Sequence, residues 1–124
     1  MANLGEAIVT IAEHEDEHGR HVALRGRLDV RTAADLRLTL HRVIAGGTNP
    51  LLLDLGEAHV GDATGLGLIV ECVRRSRRAG RGLHIVAADE RTRRLLRRAR
   101  LGTLIGTAPS CSGVGEPAMA GAAG

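Results

Sequence analysis

The sequence predicts an α/β fold: a mixed, mainly parallel β-sheet with amphipathic helices, in the order β-β-α-β-α-β-α-β. Three observations predict it. Leu51, Leu52, Leu53 and Leu55, broken only by Asp54, form the short continuous apolar run of a strand covered on both faces. Three segments, opening near Thr32, Asp62 and Asp89, repeat apolar residues at helical spacing and lie between strand-like runs. Strands alternating with helices argue for parallel pairing, and a polar hairpin between the first two strands supplies the antiparallel part.

Ile8, Val9 and Ile11 mark the first strand, and His21 to Arg25 the second, with Val22 and Leu24 pointing one way. Glu13 to Arg20 between them reads as a polar hairpin loop. His14, His18, His21 and three nearby acids are metal-ligand types, but their spacing matches no closed zinc motif and a loop would have to fold around the ion. No metal or other cofactor is expected. Gly26 to Asp29 makes the next turn, and Asp29 itself suits a turn residue bonding nearby backbone. Thr32-Ala33-Ala34-Asp35 reads as a capping box with Asp in place of Glu, so the first helix starts at Thr32 or Ala33. Ala33, Leu36, Leu40, Val43 and Ile44 form its buried stripe, and Gly46-Gly47 ends it.

Pro50 and Gly56 bound the central apolar run too closely for a helix, which leaves a strand followed by a polar turn. The second helix opens on Asp62-Ala63-Thr64-Gly65, carries Leu66, Ile69, Val70 and Val73 as its apolar stripe, and ends in Arg74, Arg75, Arg77 and Arg78. Its start is the chemically interesting point. The first N–H groups of a helix lack partners and the macrodipole presents about half a positive charge there. Asp62 or Thr64 offers a capping oxygen, and a hydroxyl in this place accepts a phosphate without melting the helix. Such a phosphate adds about −1.5 to −2 charge and changes which surfaces bind.

Leu83, Ile85 and Val86 give the next strand, Asp89 caps a third helix with Leu95, Leu96 and Ala99 inward, and Leu101 to Ile105 offers a last short strand. From Thr107 onward Gly, Ala, Ser and Pro dominate, with too little apolar surface to repay ordering. The chain therefore divides into one domain over residues 1–106 and a tail over 107–124.

Composition narrows the function. At 124 residues there is room for one core. Aromatic content is 0%, so the chain has no rings on which to stack nucleic-acid bases. All 17 basic residues are Arg, a bias that suits a GC-rich bacterial coding sequence. From Cys72 to Leu101 there are 11 Arg against Asp89 and Glu90, a local +9, and the rest carries −6 to reach the net +3. Solvated outer helix faces account for most of that charge. Cys72 and Cys111 read as two thiols in a reducing compartment. With no leader-like N-terminus and no run of 18 apolar residues, the chain is expected to be cytoplasmic. Catalysis is not expected: there is no Gly-x-Ser-x-Gly elbow or Walker loop, and Cys72 lies two turns into a helix with no base implied beside it.

The strand, the turn Asp62-Ala63-Thr64-Gly65-Leu66-Gly67 and the following helix resemble the STAS domain of bacterial anti-sigma factor antagonists and of sulfate-transporter tails. Gly26-Arg27-Leu28-Asp29 with Thr32, and Arg93-Arg94-Leu95-Leu96 with Leu101-Gly102, extend the resemblance over residues 8–106. It implies a STAS-like fold and an antagonist that binds an anti-sigma factor, a serine/threonine kinase, and so releases a sigma factor to regulate transcription by partner switching. It also implies a partner-binding surface of Asp29, Asp62, Ala63, Thr64, Gly65, Leu66 and Gly67, with no direct nucleic-acid contact and no membrane insertion, and leaves a homodimer open. In antagonists of this kind the first residue after the Asp is the phosphorylated Ser; here it is Ala63. Either Thr64 is the acceptor, or the chain is never phosphorylated and antagonises constitutively or serves as a scaffold. The second is preferred, because adjacent helix residues point about 100° apart. The alternative use of the fold is a non-enzymatic structural STAS subunit of a signalling assembly or a lipid-transport complex.

Overall fold

The computed structural model describes residues 9–106. Two antiparallel strands, β1 (Val9–Asp16) and β2 (Gly19–Leu28), lead into helix α1 (Ala33–Ala45), strand β3 (Leu51–Val60), helix α2 (Ala63–Arg78), strand β4 (Leu83–Ala88) and helix α3 (Glu90–Arg98). The sheet order is β1-β2-β3-β4, with β2, β3 and β4 parallel. The last β element is a single bridge: Ile105 pairs in parallel with Ile85 after a 3₁₀ turn over Gly102–Leu104. The expected element order therefore holds, with its final strand reduced to one residue.

Every crossover steps the same way across the sheet, and such connections share one hand, so the three helices lie on one face. Against them the sheet turns Val22, Leu24, Leu51, Leu53, Leu55 and Ile85, all buried, and α1, α2 and α3 add Leu36, Leu40, Leu68, Ile69 and Leu96. In the absence of aromatic residues, branched aliphatic side chains fill this core.

The strands are longer than the apolar runs alone predict. Glu13 to Arg20 is not a loop: β1 reaches Asp16, β2 begins at Gly19, and only Glu17 and His18 form the turn. Gly19 has φ +144°, and a Cβ there would stand 2.3 Å from the Pro50 carbonyl oxygen, so a glycine is required where the hairpin meets the start of β3. Gly26 to Leu28 likewise belongs to β2, and the turn starts only at Asp29. Nor does Gly56 end the central strand. A register shift past Leu53 lets β3 continue through Gly56 to Val60, and the Asp54 side chain accepts a hydrogen bond from Gly56 N at 2.8 Å.

α1 buries the five residues its periodicity predicts, Ala33, Leu36, Leu40, Val43 and Ile44. Its start differs from expectation. Thr32 makes no side-chain cap; its hydroxyl donates to Arg27 O and accepts from Asp29 N, so the capping box does not form. At the far end of α1 the buried Arg81 donates to the carbonyls of Val43 and Ile44 and to the Asn49 side chain, at 2.7, 2.9 and 2.8 Å. One guanidinium thus supplements the Gly46 N–H at the Val43 carbonyl, adds a donor to the Ile44 carbonyl and fastens the loop before β3 to the loop before β4.

Candidate functional site

Two of the loops at the C-terminal end of the parallel strands, β2–α1 and β3–α2, meet at Asp62. Its backbone is extended and its Oδ1 accepts from Gly65 N at 3.0 Å, which makes it the N-cap of α2. Its other oxygen, Oδ2, accepts from Val30 N at 3.0 Å, across 32 residues of sequence. One exposed carboxylate therefore both starts the helix and holds the β2–α1 loop against it. The hydrogen bonds from Gly65 and Val30 keep the Asp62 carboxyl below the usual carboxylate range, with Arg27 adding a favourable charge.

Asp29 organises the neighbouring loop from below. It is 5% exposed; its Oδ1 accepts from Arg31 N and Thr32 N, and its Oδ2 from Arg27 Nε at 3.0 Å. These bonds turn the chain so that Val30, 65% exposed, projects beside Asp62. Gly61 leaves room for the Arg27 guanidinium, whose atoms come within 2.6 Å of where a Cβ would stand.

Of the residues the sequence singles out, the structure brings Asp62, Ala63, Thr64, Leu66 and Gly67 to one surface. Ala63 and Thr64 are exposed in the first turn of α2, and Gly67 is exposed with open space beyond its Cα. Gly65 is different: a Cβ there would lie 1.9 Å from the Leu28 carbonyl oxygen, so this glycine lets α2 start in contact with the end of β2. The glycines two residues apart thus serve opposite purposes, one pressed against backbone and one leaving a surface clear.

The apolar stripe of α2 is rotated from the expected one. Gly65, Leu68, Ile69, Cys72, Val73 and Ser76 are buried, whereas Leu66 and Val70 are only half-buried. They line a groove of about 460 Å³ that runs from Ala63 and Gly67 along the helix to Arg74 and Arg78. Beside it Glu71 bridges the helices, 3.1 Å from Arg37 Nε and 2.7 Å from His41 Nε2. Partial burial opposes its charge, but the Arg37 and His41 contacts together outweigh that and hold the carboxyl below its ordinary range. Val30, Val70 and Arg27 are the surface residues that sequence reasoning missed. The signal for Val30 was an apolar residue set in a polar turn; for Val70, periodicity alone does not separate the edge of a stripe from its centre.

Cys72 is a buried thiol pushed up to about 12 by desolvation, so it stays protonated and is no nucleophile. Cys111 and the 107–124 tail lie outside the described residues. Among those described, no helix is long and apolar enough to cross a membrane.

Comparison with known proteins agrees with this geometry. No curated protein matches the sequence. Among solved structures, an anti-sigma factor antagonist from Mycobacterium paratuberculosis superposes with TM-score 0.69 at 21% identity, covering 83% of this chain and 87% of that one. The STAS domain of an antisigma-factor antagonist from Rhodobacter sphaeroides gives TM-score 0.56 at 19% identity over 63% and 85%. The Bacillus cell fate determinant SpoIIAA in its phosphorylated form gives 0.62 at 15% over 77% and 88%. Identities this low establish a shared fold. The family model of the STAS domain matches residues 10–113, and the chain belongs to that family.

Proposed function

We propose that this chain is an anti-sigma factor antagonist: a binding module that engages an anti-sigma factor, a serine/threonine kinase, and thereby releases a sigma factor. The observation that carries the reading is the single surface made by Asp62 at the head of α2. Val30 is clamped beside it, the exposed Ala63, Thr64 and Gly67 follow, and the apolar groove of Leu66 and Val70 continues it. Such a surface offers backbone, small residues and an apolar trough to a protein partner, with Asp29 holding the loop that carries Val30. Nothing in it supplies a nucleophile and base for catalysis.

Ala63 decides the regulation. It occupies the position where a phosphorylatable hydroxyl is expected, and Thr64 lies about 100° further round the helix. The chain is accordingly an antagonist that its kinase partner binds without phosphorylating. The same absence of a hydroxyl favours the alternative use, a structural subunit in a larger assembly.

Affinity capture from host lysate with the wild-type chain and Thr64→Glu separates these uses. Retention of an anti-sigma kinase by wild type, lost in Thr64→Glu, supports the antagonist. Retention of transport subunits alone, or of nothing, removes it. Phosphate on Thr64 in protein isolated from its host would overturn the unphosphorylated reading while leaving the antagonist intact.

A further inference from the structure

The hairpin joining β1 to β2 carries a second constellation. It lies beside the start of β3, where His21 pairs with Leu52, whereas Asp62 follows the other end at Val60. Eight residues of strand separate them, roughly 26 Å. The two faces of this hairpin are chemically distinct, because side chains alternate along each strand. On the helix side Arg20 pairs with Glu13 at 2.7 Å and Glu15 at 3.0 Å. On the opposite side stand His14, Asp16 and His21.

Strand register puts His14 directly across from His21, and the two imidazoles stack with centroids 4.3 Å apart and planes within 5°. Asp16 stands at the end of the same face. Its Oδ1 accepts from His18 N at 2.8 Å and Gly19 N at 3.3 Å, which fixes the carboxylate, and its Oδ2 lies 2.9 Å from His21 Nε2. One ligand atom from each of the three residues lies within 4.8 Å of the others.

We propose that His14, Asp16 and His21 form a binding site for one divalent transition-metal ion of the zinc class, with water completing its coordination. Two nitrogens and a carboxylate oxygen are a ligand set that suits zinc, cobalt, nickel or copper and disfavours magnesium and calcium. Ligands about 2.0–2.1 Å from a tetrahedral ion stand about 3.3 Å apart, so the ion enters by opening the His21–Asp16 contact slightly and by turning the stacked His14 and His21 rings out of parallel, until one nitrogen of each converges on it. Pairing of β1 with β2 already fixes the backbone that carries the ligands, so what is left for the ion to induce is rotation of exposed or half-exposed side chains. Three protein ligands leave one coordination position open to solvent.

The test is cobalt titration of the tag-free full-length chain, read by visible absorption, followed by displacement with zinc. Wild type is expected to bind one equivalent with the strong absorption of a four-coordinate ion, displaced by zinc but not by magnesium or calcium. His14→Ala and His21→Ala each lower the affinity at least tenfold. Asp16→Asn lowers it while keeping an oxygen for the turn. His59→Ala, exposed within β3 near its opposite end, leaves it unchanged. Circular dichroism of each variant checks that the hairpin substitutions, all at exposed or half-exposed positions, preserve the fold. Binding equally tight in the His14→Ala/His21→Ala double variant, or displacement by magnesium, overturns the site.

Discussion

At the scale of single residues, Gly65 and Gly67 are the sharpest probes of the surface. Gly65→Ala drives a methyl into the Leu28 carbonyl, a clash with backbone that no side-chain rotation relieves. Overpacking of this kind costs about 1–3 kcal/mol or more, seen as a lowered thermal midpoint by circular dichroism. Gly67→Ala meets open space in a helix, and replacing glycine by alanine there stabilises by about 0.5–1 kcal/mol. If the surface binds a partner, Gly67→Gln keeps the fold at least as stable as wild type and weakens partner capture. Unchanged capture by Gly67→Gln would move the interface elsewhere. Their opposite roles were not legible from the Gly-Leu-Gly spacing, because the difference is tertiary: Gly65 faces the Leu28 carbonyl and Gly67 faces open space. Asp62 was legible as a cap. Its bond to Val30 was not, since the two lie 32 positions apart and only the parallel pairing of β2 with β3 brings their ends together.

At the scale of elements, caps and stripes test the local reasoning. Asp89 caps α3 as its sequence position implies, accepting from Thr92 N at 2.8 Å. Asp89→Ala is expected to cost about 1 kcal/mol, a fall of a few degrees in thermal midpoint. An unchanged midpoint would mean that tertiary packing alone holds α3. α1 was legible residue by residue: the five residues at helical spacing are the five it buries, and Leu38, outside that stripe, is exposed. α2 was not, because it contacts both α1 and the strands beneath, and this tips Leu68 and Cys72 inward in place of Leu66 and Val70. Strand lengths were also misjudged. Glu13, His14, Glu15 and Asp16 are polar yet pair along β2, because edge strands tolerate charge on both faces and ladder hydrogen bonds do not require apolar side chains.

At the scale of the whole molecule, alternating helical and strand patterns were enough to give the fold class, because each crossover leaves its helix only one face to cover. Stability follows from the aliphatic core. Leu55 is 0% exposed at the centre of β3, and Leu55→Ala is expected to cost about 2–5 kcal/mol by leaving a cavity that nearby Leu and Ile side chains fill incompletely. A loss below 1 kcal/mol in denaturant melts would show that this core collapses around the void. Placement of the proposed partner surface was legible only through the resemblance. Composition and spacing marked the head of α2 as an anion-accepting helix start, whereas the joining of two loops there depends on topology.

The Val30–Asp62 bond turns one amide proton into a gauge of the whole surface. Val30 is 65% exposed, yet its N–H is occupied by a carboxylate whose folded pKa lies below the ordinary value. Because that value is depressed, the carboxylate's contribution is present above about pH 4 and is lost as acid titrates it through its lower folded value. Hydrogen exchange at the Val30 amide should therefore be slowed at neutral pH, accelerate in Asp62→Ala, and lose its protection in acid while amides of β3 remain protected. Exchange at Val30 as fast in wild type as in Asp62→Ala would mean that the two loops move independently in solution. In the slowed case, a single spectroscopic peak reports whether the proposed binding face is assembled, without any partner being added.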